Sequence, residues 1–235
     1  MPGLRRRAHI DLDVIVANAH ALASVVSADP LVDVRANAYG HGLLAVVEAL
    51  RTAGFERFLA SAAERPGLEN ALPGLHLSDA EPVAADSVLG LALYGLDAAL
   101  PDRAPALSLT AEIVAVKRVP GGRGVSYGYT YRTSAPATLV LAALGYADGV
   151  PRAASNRAPV DVAGRRARVT GRVAMDQFVV DIGDGDATVG ERVVLFGSAA
   201  GMPTVHEWAD ATGVRPEVIT AGLGNRIRRE YGVVS

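Results

Sequence analysis

Leu31-Val32-Asp33-Val34-Arg35-Ala36-Asn37-Ala38-Tyr39-Gly40-His41-Gly42, with the run from Leu43 to Ala53 behind it, decides how the first half of the chain is read. Leu31 to Val34 reads as a short buried strand, and Asn37 to Gly42 as a loop. Leu43, Val46, Val47, Leu50 and Ala53 then recur at helical spacing until Gly54 closes the helix. Upstream, Leu12, Ile15, Ala19, Leu22 and Val26 repeat at the same period and stop at Asp29-Pro30. Downstream, Phe58-Leu59-Ala60 reads as the next strand. Such alternation predicts parallel βα units.

Beyond Ala60 the pattern weakens. Residues 65–75 hold too many Pro and Gly breakers for a long element, and two short apolar pieces follow, at Leu75-His76-Leu77 and Val88 to Leu93. Leu100-Pro101-Asp102-Arg103-Ala104-Pro105 reads as a linker, giving an expected α/β domain over residues 1–100 and a β domain over 101–235. In the second, strands are predicted at Leu107–Val119, Ala137–Leu144, Pro159–Val162, Arg168–Ile182 and Glu191–Phe196, with turns at Gly145, Gly164, Gly183 and Gly197. Thr204-Val205-His206-Glu207 is a capping box that opens a helix to Ala211, and a last helix is predicted at Pro216–Ala221.

The 235 residues carry 23 basic and 25 acidic side chains, 25 Gly, 13 Pro and no Cys. A near-neutral balance argues against a nucleic-acid coat. Zero Cys removes disulfides, thiolate zinc sites and cysteine nucleophiles. No apolar run approaches the ~18 residues of a membrane span. Arg5-Arg6-Arg7 leads into Asp11 and Asp13, which spoil a signal-peptide core. A cytoplasmic protein with no membrane partner is expected. Of all the basic residues, only Lys117 is lysine.

Seven segments, in order, resemble the alanine racemase family. They are Ile10-Asp11-Leu12 with Asn18, Asn37 to Gly42, Leu93-Tyr94-Gly95-Leu96, Val125-Ser126-Tyr127-Gly128, Gly145 to Arg152, Gly171 to Gln177, and Arg226 to Tyr231. The resemblance implies a (β/α)8 barrel followed by a C-terminal β domain. It also implies pyridoxal phosphate held by a lysine just before the Asn-Ala-Tyr-Gly-His-Gly segment, with proton relay by that lysine and by a tyrosine from a partner subunit. Carried across, the tyrosine is Tyr127. Met175 and Asp176 fall where the family holds the substrate carboxylate, Tyr146 and Arg152 line the entrance, and Tyr39 faces the cofactor phosphate.

The chain departs from that pattern at the position that matters most. Arg35 stands where the family has its lysine, and a guanidinium stays charged and cannot serve as the amine nucleophile. Val88 replaces the arginine that pairs with the pyridine nitrogen. The phosphate-binding serine aligns near Ala80, with Ser78 close by, and the C-terminal phosphate-binding tyrosine falls at Pro216 or Glu217. A (β/α)8 barrel needs ~250 residues, ~200 at least, whereas about 100 precede Pro101, so the first domain is expected to be a truncated barrel remnant. No cofactor is expected. Unpaired strand edges favour a homodimer with a site shared between subunits.

The remaining polar groups carry blander readings. His41 reads as positioning backbone, and His76 and His206 lack metal-ligand spacing, so no metal is expected. Gly121-Gly122-Arg123-Gly124 reads as a hairpin turn, Asp148 as a turn residue and Arg226 to Arg229 as structural. The leading expectation is a repurposed, pyridoxal-phosphate-independent enzyme on a small amino-acid-like or carboxylate substrate, with Tyr127 as acid/base and Arg35 as anion binder. Its rivals are an inactive binding or dimerisation module and a residual pyridoxal-phosphate racemase.

Overall fold

The computed structural model describes residues 6–26, 30–79 and 88–232, and these divide into two compact units. One holds residues 9–107 with 231–232, the other residues 6–8 with 108–230.

In the first unit, the end of strand β1 (Arg6–Ile10) leads to the helix Leu12–Ala23, whose start is capped by the Asp11 carboxylate accepting from the Val14 amide at 3.1 Å. The strands β2 (Leu31–Asp33), β3 (Arg57–Leu59), β4 (His76–Ser78) and β5 (Val88–Leu89) form a parallel sheet in the order β4-β3-β2-β5. Between β2 and β3 runs the helix Leu43–Thr52, which packs on Leu12–Ala23 and buries Val46, Val47 and Leu50. The helical spacing read from the sequence is what faces these residues inward. Residues 65–75 hold no long element: a seven-residue helix, Arg65–Ala71, ends before Pro73, with Pro66 in its first turn, where no amide donor is needed. The first helix stops at Ala23, capped by Ser24, short of Val26; the predicted stop at Asp29 and the candidate Ala80 lie outside the described residues. Val88–Leu93 divides into β5 and a 3₁₀ turn, Leu91–Tyr94. Asn18, buried, donates to the carbonyls of Leu93 and Ala104, both at 3.1 Å, and so ties the first helix to the end of the unit.

The second unit is built on β6 (Leu107–Val119), a thirteen-residue strand whose side chains alternate between buried and half-exposed along its first eight positions. The short β7 (Gly124–Val125) and β8 (Tyr131–Arg132) pair as a hairpin. Then come β9 (Ala137–Ala142), β10 (Pro159–Val162), β11 (Arg165–Thr170), β12 (Phe178–Asp181), β13 (Arg192–Phe196) and β14 (Arg228–Tyr231). Successive antiparallel pairings run β13-β10-β11-β12-β9-β6, and β13 pairs back onto β6, closing six strands into a barrel. β6 can close the ring because residues 109–112 pair with β13 and residues 113–119 with β9, with register shifts between Ile113 and Ala115 on β6 and between Val194 and Phe196 on β13. The stretch Arg168–Ile182, predicted as one strand, breaks at Gly171 into β11 and β12. The capping box is present, Thr204 accepting from the Glu207 amide and Glu207 from the Thr204 amide, and it starts the helix Val205–Thr212; Pro216–Ala221 follows as predicted.

Candidate functional site

In the first unit the polar groups gather at the carboxyl ends of the parallel strands, where open α/β sheets bind ligands. The sheet order reverses beside β2, and there Asp33 and Arg35 sit. Arg35 donates through Nε to Asp33 Oδ1 at 2.9 Å and through Nη2 to Oδ2 at 2.7 Å, a two-bond fork. Tyr39 Oη donates to the same Oδ2 at 2.7 Å, and Tyr94 Oη to the Asp33 carbonyl at 2.9 Å. The Asp33 side chain is 4% exposed and that of Arg35 is 35%. Burial, reinforced by the hydrogen bond to Asp33, pushes the Tyr39 phenol well above its ordinary range; burial does the same to Tyr94. Both hydroxyls are therefore held as neutral donors.

Ala36, Asn37, Ala38 and Tyr39 all have positive φ (55°, 58°, 52° and 49°), making a left-handed turn without a single glycine. Each alanine there costs roughly 1–2 kcal/mol. Surrounding bonds hold the turn in place. Glu64, from beyond β3, accepts from the Asn37 amide at 2.7 Å and from the Ser61 hydroxyl at 2.5 Å. The Asn37 side-chain oxygen accepts from the Leu43 amide at 2.8 Å and starts the next helix in place of a cap at Gly42. His41 is buried, with its Nδ1–H donating to the Ala38 carbonyl at 2.9 Å. Four consecutive residues persist in this basin because the surrounding bonds over-determine it.

In the barrel unit the segment between β11 and β12, residues 171–177, gathers the other candidates. The Ser126 hydroxyl donates to the Arg172 carbonyl at 2.7 Å, and a Cβ on Gly171 would stand 2.7 Å from that of Ser126. The amides of Tyr146 and Ala147 donate to the carbonyls of Ala174 and Met175, so close that a side chain on Gly145 would strike both carbonyls. Tyr127 is 70% exposed, and Tyr129, Tyr146 and Met175 are exposed with it. The Arg152 guanidinium lies 5.6 Å from the Tyr146 ring centroid. Asp148, fully buried, accepts from the Gly145 amide at 2.9 Å and faces Arg226 Nε at 2.9 Å and Arg6 Nε at 3.5 Å. Arg226 also donates to Asp176 at 2.7 Å, and that bond, with the two carboxylates, raises its pKa further.

The seven candidates thus fall into two groups: Arg35 and Tyr39 share Asp33, and Tyr127, Tyr146, Arg152, Met175 and Asp176 are strung along residues 171–177 and their neighbours. The negative charge that Arg35 meets is Asp33, two residues before it at the end of β2, and Asp176 is an ion-pair partner of Arg226. Sequence reading missed Asp33, Glu64 and the Asp148–Arg226–Asp176 bridge. For Asp33 the available signal was an acid two residues before an arginine at the end of an apolar strand; for Glu64 no local signal existed. Among the described residues no group of acids and histidines could hold a metal ion, and no helix is long and apolar enough to cross a membrane.

The closed antiparallel barrel is a β domain of the kind the sequence motifs imply, and before it in the chain the described residues form four parallel strands. The model of the alanine racemase C-terminal domain matches residues 106–231, so the chain belongs to the alanine racemase family. An alanine racemase of Thermobifida fusca is 51% identical over 147 residues, covering 60% of this chain and 39% of its own. The chain spans about two fifths of the length of the curated relatives it matches. Among solved structures, the alanine racemase of Streptomyces coelicolor A3(2) superposes with a TM-score of 0.87 at 26% identity, covering 97% of this chain and 98% of that one. The alanine racemase of Bartonella henselae, solved with covalently bound pyridoxal phosphate, shares the fold at a TM-score of 0.78 and 20% identity, covering 98% of this chain and all of that one (100%).

Proposed function

We propose that this chain is a racemase-lineage protein that acts without lysine-anchored pyridoxal phosphate on a small amino-acid-like ligand. In this reading Arg35 is the charged contact, Tyr127 the acid–base group, and the four parallel strands the remnant of a longer barrel. The single observation that carries it is the Asp33–Arg35 pair at the carboxyl end of β2. A guanidinium bound in a fork to a buried carboxylate offers no amine to the cofactor, and the one lysine, Lys117, is exposed on β6 of the barrel unit. The residues at this position do not fit a covalently held cofactor. The pair is also electrically neutral. A ligand of zero net charge, with its own ammonium and carboxylate, is favoured there over a simple carboxylate, which must compete with Asp33 for the guanidinium fork.

Tyr127 is exposed in a single chain, and a homodimer in which it reaches a second copy supplies the cover that an aromatic surface calls for. That exposed surface of Tyr127, Tyr129, Tyr146 and Met175 also favours the second reading, a non-catalytic dimerisation module. Calorimetric titration with alanine and with acetate separates them. The enzyme reading expects alanine to bind more tightly than acetate, binding to fall at least about tenfold in Arg35→Ala, and Tyr127→Phe to retain binding while losing any turnover. Dimers by sedimentation with no ligand binding in the unaltered protein leave the module. Alanine turnover dependent on added pyridoxal phosphate overturns both.

A further inference from the structure

We infer that Asp33 fixes the chemical character of position 35: its carboxylate keeps the side chain there a cation, so restoring a lysine alone does not restore a reactive amine. This goes beyond the proposed function, which concerns the ligand, and it fails separately from it.

Asp33 is the last residue of β2, and beyond Val34 the chain leaves the strand so that both the backbone amide and the guanidinium of Arg35 meet the Asp33 carboxylate. Asp33 Oδ1 accepts both Nε and the backbone amide of Arg35, at 2.9 and 3.1 Å, while Oδ2 accepts Nη2 and the Tyr39 hydroxyl, each at 2.7 Å. The carboxylate is buried, and two of its four donors, the backbone amide of residue 35 and the Tyr39 hydroxyl, do not depend on the guanidinium and remain to hold it beside a lysine at position 35. An opposite charge at hydrogen-bond distance stabilises the protonated form of an amine, and attack on a carbonyl requires the neutral form. Each unit of upward shift lowers the neutral fraction about tenfold.

Two neighbours could weaken this effect. Burial disfavours an ammonium, but the side chain at 35 is about one-third exposed, so pairing with Asp33 dominates. Tyr39 could take the proton only as a phenolate, and burial together with Asp33 keeps it a neutral donor. Tyr94 donates to the Asp33 backbone and is likewise neutral. A planar guanidinium matches both carboxylate oxygens, so Asp33 and Arg35 form one bonded unit.

The test uses Lys117 as a reference amine present in every sample. The unaltered protein, Arg35→Lys and Arg35→Lys/Asp33→Asn are incubated with pyridoxal phosphate at neutral pH, reduced with borohydride and mapped by peptide mass spectrometry. Labelling at position 35 relative to Lys117 is expected to be at least about tenfold higher in the double variant than in the single one. Equal labelling in the two overturns the inference. If circular dichroism shows that the double variant does not fold, the single variant decides through its pH profile. Labelling at 35 must then begin at a higher pH than labelling at Lys117, and onset at the same or a lower pH overturns the inference.

Discussion

In the barrel unit β6 pairs with β9 along one half and with β13 along the other, and the six-membered ring closes on itself. In the N-terminal unit β4 and β5 each have one strand partner among the described residues. Closure satisfies backbone groups by topology and spreads stability over many alternating apolar side chains. The parallel unit adds to its buried apolar residues a few specific polar ties: Asn18 to the end of the unit, Asp33 to Arg35 and Tyr39, and Glu64 to the left-handed turn. The family model's match, residues 106–231, lies on the side of the chain that holds the barrel. The departure at position 35 falls in the unit that holds these ties.

This contrast can be broken first at Trp208. It is buried, its indole N–H donates to the carbonyls of Pro159 and Leu195, both at 2.7 Å, and its ring meets Phe196 at 5.8 Å. Trp208→Ala is expected to cost about 3–5 kcal/mol. Hydrogen exchange should show protection falling across all six barrel strands together; a loss confined to the helix Val205–Thr212 would mean that the ring is not cooperative. Glu64→Ala removes a charged acceptor from the Asn37 and Ser61 amides and should cost about 1.5–3 kcal/mol. Its exchange signature is expected at residues 36–43, with the barrel strands unchanged; uniform loss across both units would contradict local tethering. The smallest expected effect is at Thr204, whose replacement by alanine removes the capping box for about 1 kcal/mol by urea denaturation.

Legibility followed the same division. β6 from Leu107 to Val119, β10 from Pro159 to Val162 and the helix Pro216–Ala221 stand where alternation and Pro placement put them, because in a closed antiparallel barrel each residue's neighbours on its own strand already reveal its face. The loop between β11 and β12 was not visible, since Gly171-Arg172-Val173 carries no stronger break than other glycines inside β-rich sequence. At the candidate site, Arg35, Tyr39 and the Tyr146–Arg152 segment were legible through motifs. Asp33 looked like one polar residue in an apolar strand, and its partner two positions on was read separately from it. Glu64 meets Asn37 across 27 residues and through a backbone amide, an interaction that no residue type announces.

The left-handed turn has a consequence in stereochemistry. Ala36 and Ala38 are L-residues in a conformation whose natural occupant is the mirror-image amino acid. For D-alanine the signs of the steric map reverse, and φ near 55° with ψ near 50° becomes the relaxed helical basin. A semisynthetic chain with D-alanine at 36 or 38 would keep every methyl count and every hydrogen-bonding group while releasing the penalty that Glu64, Asn37 and His41 now hold down. At two backbone positions, this member of a family named for interconverting the enantiomers of alanine would itself be better served by the other enantiomer.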